Sequence, residues 1–445
     1  MSNAPLKKAE MSTSPNRKRP RETALDSHDA STAASIMTRF TNCLLVRGDE
    51  LVIEDLWVQD GVVVDPKARF LAAASAEEFV DGGKIIDVDC GGAYVAPGFI
   101  DVQINGAFGI DFADPANMTA EKLAIVANGL LAHGVVGFLP TIVSSSSAVY
   151  TESLALFRKA QQALRQSGNR SGASVLGLHL EGPFMNPAKK GAHKLANLRD
   201  PVRGMASVKE TYGPSLEGVA LVTLSPELPG ALETIDGLTQ QGVVVSMGHT
   251  MATMKEGLAG RRAGALLITH LFNAMPSFHH RDPGLVGLLG AAEEEDRPYY
   301  SLIADGLHCH TASIKIATRS HPKGAVLVTD AIAAMGLGNG DHSLGEQKVT
   351  VTDGIKATLT GTDTLAGACV PMAECCRNFM AATQCSVPEV VAAASSRPAR
   401  VVFGESTLVG TLEAGAPADL VVLGGNLEIL DVYLGGSLAW TSRTT

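Results

Sequence analysis

Short hydrophobic runs recur along the central part of the chain and alternate with longer stretches of mixed polarity. Strands that are buried on both faces of a parallel sheet have this continuous apolar character, and helices suit the stretches between them. The eight runs occupy residues 99–104, 135–140, 175–181, 219–224, 243–249, 266–270, 301–305 and 325–330. Eight such units predict a (β/α)8 TIM barrel. An open nucleotide-binding sheet would instead need a GxGxxG loop after its first strand, which the sequence lacks.

The two ends of the chain show a different pattern, in which short β-rich runs are separated by turn residues. Strands from opposite ends of a chain can pair into one small β-domain. We therefore predict a β-sandwich formed from residues 37–97 and 406–445. The barrel is predicted to occupy residues 98–405. Residues 1–36, rich in Ser, Ala, Pro and charge, are expected to be a disordered tail.

Composition narrows the class of protein. Hydrophobic residues make up 45% of the chain and charged residues 18%, as in a globular protein with a large core. The net charge of −10 argues against a general nucleic-acid or membrane-binding surface, so any anion site must be local. Seven scattered cysteines without a CxxC pair predict reduced thiols and a cytoplasmic location. The basic cluster NRKRPRE in the tail leaves nuclear localisation as an alternative.

Polar residues stand at the C-terminal ends of the predicted strands, where barrel enzymes carry out their chemistry. Alone, each has an ordinary explanation as a core residue or a helix cap. Together, two imidazoles and one carboxylate are the usual ligands of a catalytic zinc ion, with water as the next ligand. Asp330, after the last strand, is a candidate base for that water. The strand-end set is Gln103, Asn105, Glu181, His249, His270, Asp305 and Asp330.

Basic residues follow several of these strand ends. Lys189 and Lys190 are interpreted as surface charge. Arg281 is a stronger candidate for an anion site, because its planar guanidinium suits phosphate. A second metal site at His308 and His310 is disfavoured, since both residues follow a loop glycine.

A series of motifs runs from about residue 37 to the C-terminus: APGFIDVQINGAFG, HLEGPF, KKGAH, SMGHT, THLFNAM, HHRDPG, IADGLH, LVTDAIAAMG and GTLEAGAPADLVVL. In content and order they resemble the N-acetylglucosamine-6-phosphate deacetylases of the amidohydrolase superfamily. The last motif alone would indicate only the superfamily, whereas HLEGPF, KKGAH and HLFNAM narrow it to the deacetylases.

This resemblance implies that Glu181, His249 and His270 hold a metal and that Asp330 is the general base and acid. The implied reaction hydrolyses N-acetylglucosamine 6-phosphate to glucosamine 6-phosphate and acetate, in amino-sugar catabolism or recycling. A homodimer is expected, because the family's phosphate pocket lies near a dimer interface. The implied sugar-phosphate site consists of Ala192, His193, Asn273, Ala274, Arg281, His308, Thr364, Leu365 and Ala366.

One departure from the wider superfamily concerns the metal count. Many amidohydrolases have His-x-His after the first strand and bind two metals, whereas this chain has Gln103 and Asn105. Neutral amides are poor zinc ligands, so we predict one divalent ion per subunit. Zn²⁺ is expected, although Fe²⁺, Mn²⁺ and Co²⁺ also suit a Glu-His-His site.

Two alternatives stay open at this point. Another amidohydrolase activity, such as cyclic-amide hydrolysis or deamination, would share the barrel but would not need Arg281. A non-enzymatic scaffold is disfavoured because such proteins usually lose a metal ligand or the base, and this sequence has both.

Overall fold

The computed structural model describes residues 36–68, 85–166 and 170–443. The predicted tail, apart from its last residue, and the NRKRPRE cluster therefore lie outside the described residues. Among the helices that are described, none is long and apolar enough to cross a bilayer.

Eight parallel strands form the centre of the molecule, and each pairs with the next along the chain. Almost all of their residues are buried, which explains why the sequence shows continuous apolar runs rather than alternation. The predicted barrel is confirmed. Its strands are Phe99–Ile104, Val135–Ile142, Leu178–Glu181, Val219–Leu224, Val244–Met247, Leu267–Ile268, Tyr299–Ile303 and Ala325–Val328.

The barrel closes differently between its eighth and first strands. No ladder joins these two among the described strands. A single bridge pairs Ile104 with Ala331, and the Asp330 amide donates to the Gln103 carbonyl at 2.9 Å. The buried Asp101 carboxylate adds a bond from the Thr329 hydroxyl at 2.5 Å. We call this joint, formed by residues 101–106 and 329–331, the seam.

Helices pack against the strands through apolar faces that share one core with the barrel. Two begin with capping boxes, at Thr253 and Ser386, in which side chains satisfy free backbone amides of the first turn. The α-helices that lie wholly within the described residues are Ala120–Leu131, Ser147–Gln166, Met205–Tyr212, Ala231–Gln240, Met254–Arg262, Thr311–Ser320, Met372–Thr383, Val387–Ala394 and Ser396–Phe403.

Two sheets are formed by the ends of the chain: one contains N-terminal strands alone, and the other pairs N-terminal with C-terminal strands, as predicted for the small β-domain. Their shared core includes Phe40 and Tyr433, whose rings meet edge to face at 4.8 Å. The division of the chain at residues 97/98 and 405/406 stays a prediction. One sheet contains Met37–Thr41, Leu56–Gln59, Val62–Val64 and Ile85–Asp89; the other contains Leu44–Arg47, Glu50–Val52, Tyr94–Pro97, Leu420–Leu423, Ile429–Leu434 and Ser437–Thr441.

A three-stranded antiparallel sheet follows the eighth barrel strand and was not predicted. It consists of Gly340–Leu344, Gln347–Thr352 and Lys356–Leu359. Gln347 Nε2 donates to the Ala192 carbonyl at 3.3 Å, and Glu346 forms an ion pair with Lys194. This sheet therefore contacts the loop that follows Glu181.

Candidate active site

Three side chains converge at the carboxyl ends of the third, fifth and sixth barrel strands. Glu181 Oε1 lies 3.3 Å from His249 Nε2 and 3.1 Å from His270 Nε2, and the two Nε2 atoms are 3.1 Å apart. All three residues are buried. The structure thus brings the sequence-predicted trio together, with ligand atoms within 4.8 Å of one another.

The donor atoms of this trio fit a divalent metal. His249 Nδ1 lies 2.9 Å from the Lys189 carbonyl, which can only accept, so Nδ1 carries the ring proton and the Nε2 lone pair faces Glu181. A cation among two imidazole nitrogens and one carboxylate oxygen would satisfy all three as ligands.

Glu181 is anionic despite its burial. Burial raises its pKa, but the neighbouring imidazole rings of His249 and His270 outweigh this effect and hold the pKa well below its ordinary value. An ionised carboxylate is the form that binds a metal.

Asp330 lies beside this trio and is held by two side-chain amides. Gln103 Nε2 donates to Asp330 Oδ1 at 3.2 Å and to Glu181 Oε1 at 2.9 Å, while Asn105 Nδ2 donates to Asp330 Oδ1 at 2.8 Å. Burial and the Glu181 charge raise the pKa of Asp330, against the lowering influence of His270, His308 and the Asn105 amide. A raised pKa suits a group that must both accept and return a proton.

The backbone at three of these positions lies in the left-handed region, which residues other than glycine rarely adopt. The φ angles are 51° at His249, 31° at His270 and 49° at Asp330. Hydrogen bonds fix the two histidines there: the Ser301 hydroxyl accepts from the His270 amide at 2.7 Å, and the Ser225 hydroxyl donates to the His249 carbonyl at 2.6 Å. Such strain is typical of functional sites, where surrounding contacts impose it.

His193 packs against the trio, with its ring centroid 4.5 Å from that of His249. The Ser144 amide donates to His193 Nδ1 at 3.1 Å, so this nitrogen is an acceptor and the ring proton resides on Nε2. Burial and His249 lower the pKa of His193 to about 3. His193 is therefore a neutral hydrogen-bond donor next to the candidate metal ligands.

His308 is paired with Asp305 at the end of the seventh strand. Its Nδ1 lies 2.7 Å from Asp305 Oδ2, while Asp305 Oδ1 accepts the amides of Leu307 and His308. Burial raises the pKa of Asp305, but the His308 contact and these amides lower it below the ordinary value. A charged Asp305 fixes the proton of His308 on Nδ1.

The other predicted sugar-phosphate residues differ in their contacts and exposure. Asn273 Nδ2 lies 3.6 Å from Cys309 Sγ, and the Ala274 carbonyl accepts from the Thr250 amide at 3.1 Å. Within residues 364–366, Ala366 is buried. Two positions later, the Ala368 amide donates to the Asp330 carbonyl, and this bond connects the segment to the site. Arg281 is exposed, and its guanidinium forms no ion pair within the described chain.

Sequence reasoning missed some of the residues that hold the predicted ones in place. Asp101 is a carboxylate inside the buried run FIDVQI, and that mismatch of a charge with an apolar strand could have identified it. Ser144 lies in a run of serines that gives no signal. His179 lies 2.8 Å from Thr223 Oγ1, beneath the site. His310 accepts the Ala312 amide and caps the helix that begins at Thr311.

Comparison with known proteins places the chain in a family. The amidohydrolase family profile matches residues 94–439. The N-acetylglucosamine-6-phosphate deacetylase of Mus musculus is 46% identical over 414 residues, which is 92% of this chain and 97% of that protein. The N-acetylgalactosamine-6-phosphate deacetylase of Escherichia coli O157:H7 is 34% identical over 345 residues, covering 78% of this chain and 87% of that protein.

A solved structure agrees with these relatives. A mutant N-acetyl-D-glucosamine-6-phosphate deacetylase from Mycobacterium smegmatis, in complex with N-acetyl-D-glucosamine 6-phosphate, superposes with a TM-score of 0.76 at 28% identity, covering 92% of this chain and all of that one. This chain belongs to the amidohydrolase family and, within it, to the N-acetylglucosamine-6-phosphate deacetylases.

Proposed function

We propose that this chain hydrolyses the acetamide of N-acetylglucosamine 6-phosphate and releases acetate and glucosamine 6-phosphate. The observation that carries the proposal is the convergence of Glu181, His249 and His270 beside the buried carboxylate of Asp330. The relatives that act on amino-sugar 6-phosphates support the substrate class.

Glu181, His249 and His270 are the proposed ligands of one divalent metal per subunit, with Zn²⁺ favoured and Fe²⁺, Mn²⁺ or Co²⁺ compatible. When bound, such a metal lowers the pKa of water and polarises a carbonyl group. The orientation of Gln103 supports a single ion, because it turns its amide nitrogen, a donor, towards Glu181 and Asp330.

Asp330 is the proposed general base and acid. Both amides donate to its Oδ1, which leaves Oδ2 to take a proton from the attacking water. The same oxygen then returns the proton to the departing nitrogen, since an unprotonated amine is a very poor leaving group. Proton transfer of this kind contributes about 10²–10⁴-fold to a rate.

His193 is the proposed donor to the acetamide oxygen. Its proton resides on Nε2, and a donor aimed at developing oxyanion charge is worth about 3–4 kcal/mol. His308, Asn273, Ala274, Ala192 and residues 364–366 are proposed to line the sugar. Arg281 is proposed to bind the phosphate, whose binding energy orients the amide.

The wider setting is also a proposal. A homodimer with its interface near the phosphate pocket follows from the family resemblance. Cytoplasmic amino-sugar catabolism or recycling agrees with seven free cysteines, six of them buried.

The test compares acetate release from N-acetylglucosamine 6-phosphate, its 4-epimer and the unphosphorylated sugar, with metal content determined on the same samples. We expect fast acetate release from N-acetylglucosamine 6-phosphate alone, with about one metal ion bound per chain. No release despite bound metal would contradict the proposal and favour another amidohydrolase activity. Absence of bound metal from protein purified in zinc-supplemented medium would favour a scaffold.

A further inference from the structure

We propose that Gln103 is a positioning residue that sets the separation between Glu181 and Asp330. Gln103 is buried at the end of the first barrel strand, and its Nε2 donates to Glu181 Oε1 at 2.9 Å and to Asp330 Oδ1 at 3.2 Å. One side-chain nitrogen therefore contacts both the proposed metal ligand and the proposed base. This inference rests on the function proposed above for those two residues.

The chemistry of a primary amide explains why this contact is specific. The NH₂ group has two hydrogens that diverge in one plane, and each of them meets one carboxylate oxygen. Two bonds of these lengths hold the acceptors roughly 5 Å apart. The amide thus bridges two buried carboxylates, which would otherwise repel each other, without adding a charge.

The backbone of Gln103 is itself fixed on both sides of the seam. The Asp101 carboxylate accepts its amide at 3.2 Å, and its carbonyl accepts the Asp330 amide at 2.9 Å. The side chain consequently extends from an anchored strand, and its length determines where the two carboxylates lie.

Asn105 provides a matched contrast within the same seam. Its Nδ2 donates to Asp330 Oδ1 at 2.8 Å and lies 3.4 Å from the Asp330 carbonyl, so both contacts are with Asp330. Asn105 therefore positions the base, whereas Gln103 positions the base and the metal ligand together.

The experiment compares Gln103→Met and Asn105→Leu, which keep approximate side-chain size but remove the donors. Zn²⁺ affinity is measured without substrate by competition with a chromophoric chelator, and kcat and KM are measured on the zinc-loaded enzyme. Loss of a hydrogen bond that orients a ligand costs about 10–100-fold in metal affinity or activity. We expect Gln103→Met to weaken Zn²⁺ binding and lower kcat by such factors with little change in KM, and Asn105→Leu to lower kcat alone.

Unchanged Zn²⁺ affinity in Gln103→Met, or an equal loss in both variants, would overturn the proposal. If Gln103→Met does not fold, Gln103→Asn replaces it. The shorter side chain keeps its amide but places it roughly 1.5 Å farther from Glu181 and Asp330, so Zn²⁺ affinity and kcat should both fall. Because Zn²⁺ affinity is measured without substrate, it tests Gln103 even if the wild type releases no acetate. A wild type that binds Zn²⁺ but releases no acetate would contradict only the proposed reaction.

Discussion

Replacing Asp330 by Asn tests the proposed proton transfer with little disturbance of the site. Gln103 and Asn105 both donate to Oδ1 of Asp330. In Asp330→Asn the amide oxygen can occupy that position and retain both bonds, which forces the new NH₂ group to the place of Oδ2. The exchange therefore removes the proton acceptor while Gln103 and Asn105 both keep an acceptor for their amide groups.

The expected loss is the contribution of a general base and acid, about 10²–10⁴-fold in kcat, equivalent to about 3–5 kcal/mol of transition-state stabilisation. Acetate release under saturating N-acetylglucosamine 6-phosphate measures it, with metal content and melting temperature recorded for each sample. Asp111→Asn is the matched control, because Asp111 is another buried carboxylate but accepts bonds from Ala113 and Gly345 instead. A kcat within tenfold of wild type in Asp330→Asn, at unchanged metal content, would refute the assigned role.

Three further predictions follow. Arg281→Ala should raise KM for the phosphorylated sugar about 10–100-fold, the value of a charged hydrogen bond, with Lys189→Ala as a neutral control; equal effects on the unphosphorylated sugar would contradict phosphate binding. Only ionised Asp330 accepts a proton, and burial and the Glu181 charge raise its pKa. As the pH is lowered, kcat/KM should therefore begin to fall well before pH ~4, the ordinary pKa of an Asp. A kcat/KM that stays constant down to that pH would contradict this prediction. Chelation should lower the melting temperature, since a metal at about 1,000 times its Kd stabilises by about 4 kcal/mol, and Glu181→Gln should abolish the shift.

The barrel and the convergence of Glu181, His249 and His270 were predictable from the sequence because both leave strong local patterns. Eight buried strands produce eight apolar runs, and the strand ends must meet at one face of the barrel. Glu181, His249 and His270 could therefore be grouped although His270 lies 89 positions after Glu181.

The residues that hold this trio were less predictable because their partners are backbone atoms or remote side chains. The Ser144 contact with His193 uses a main-chain amide, which every residue except proline possesses. The sequence pattern singled out Gln103 and Asn105 at the end of the first strand, but their bonds to Asp330 depend on closure of the seam. The sheet of residues 340–359 was missed because its short, partly exposed strands lack an apolar run.

The seam also determines when during folding the reaction centre can form. The bond from Asn105 to Asp330 joins residues 225 positions apart, and contacts of such separation form slowly because a long loop must first be closed. Asp330 and its two amide donors reach their final places only when the eighth strand docks beside the first. We therefore expect acetate release to recover during refolding only after this long-range contact has formed, whereas the helical signal can recover earlier.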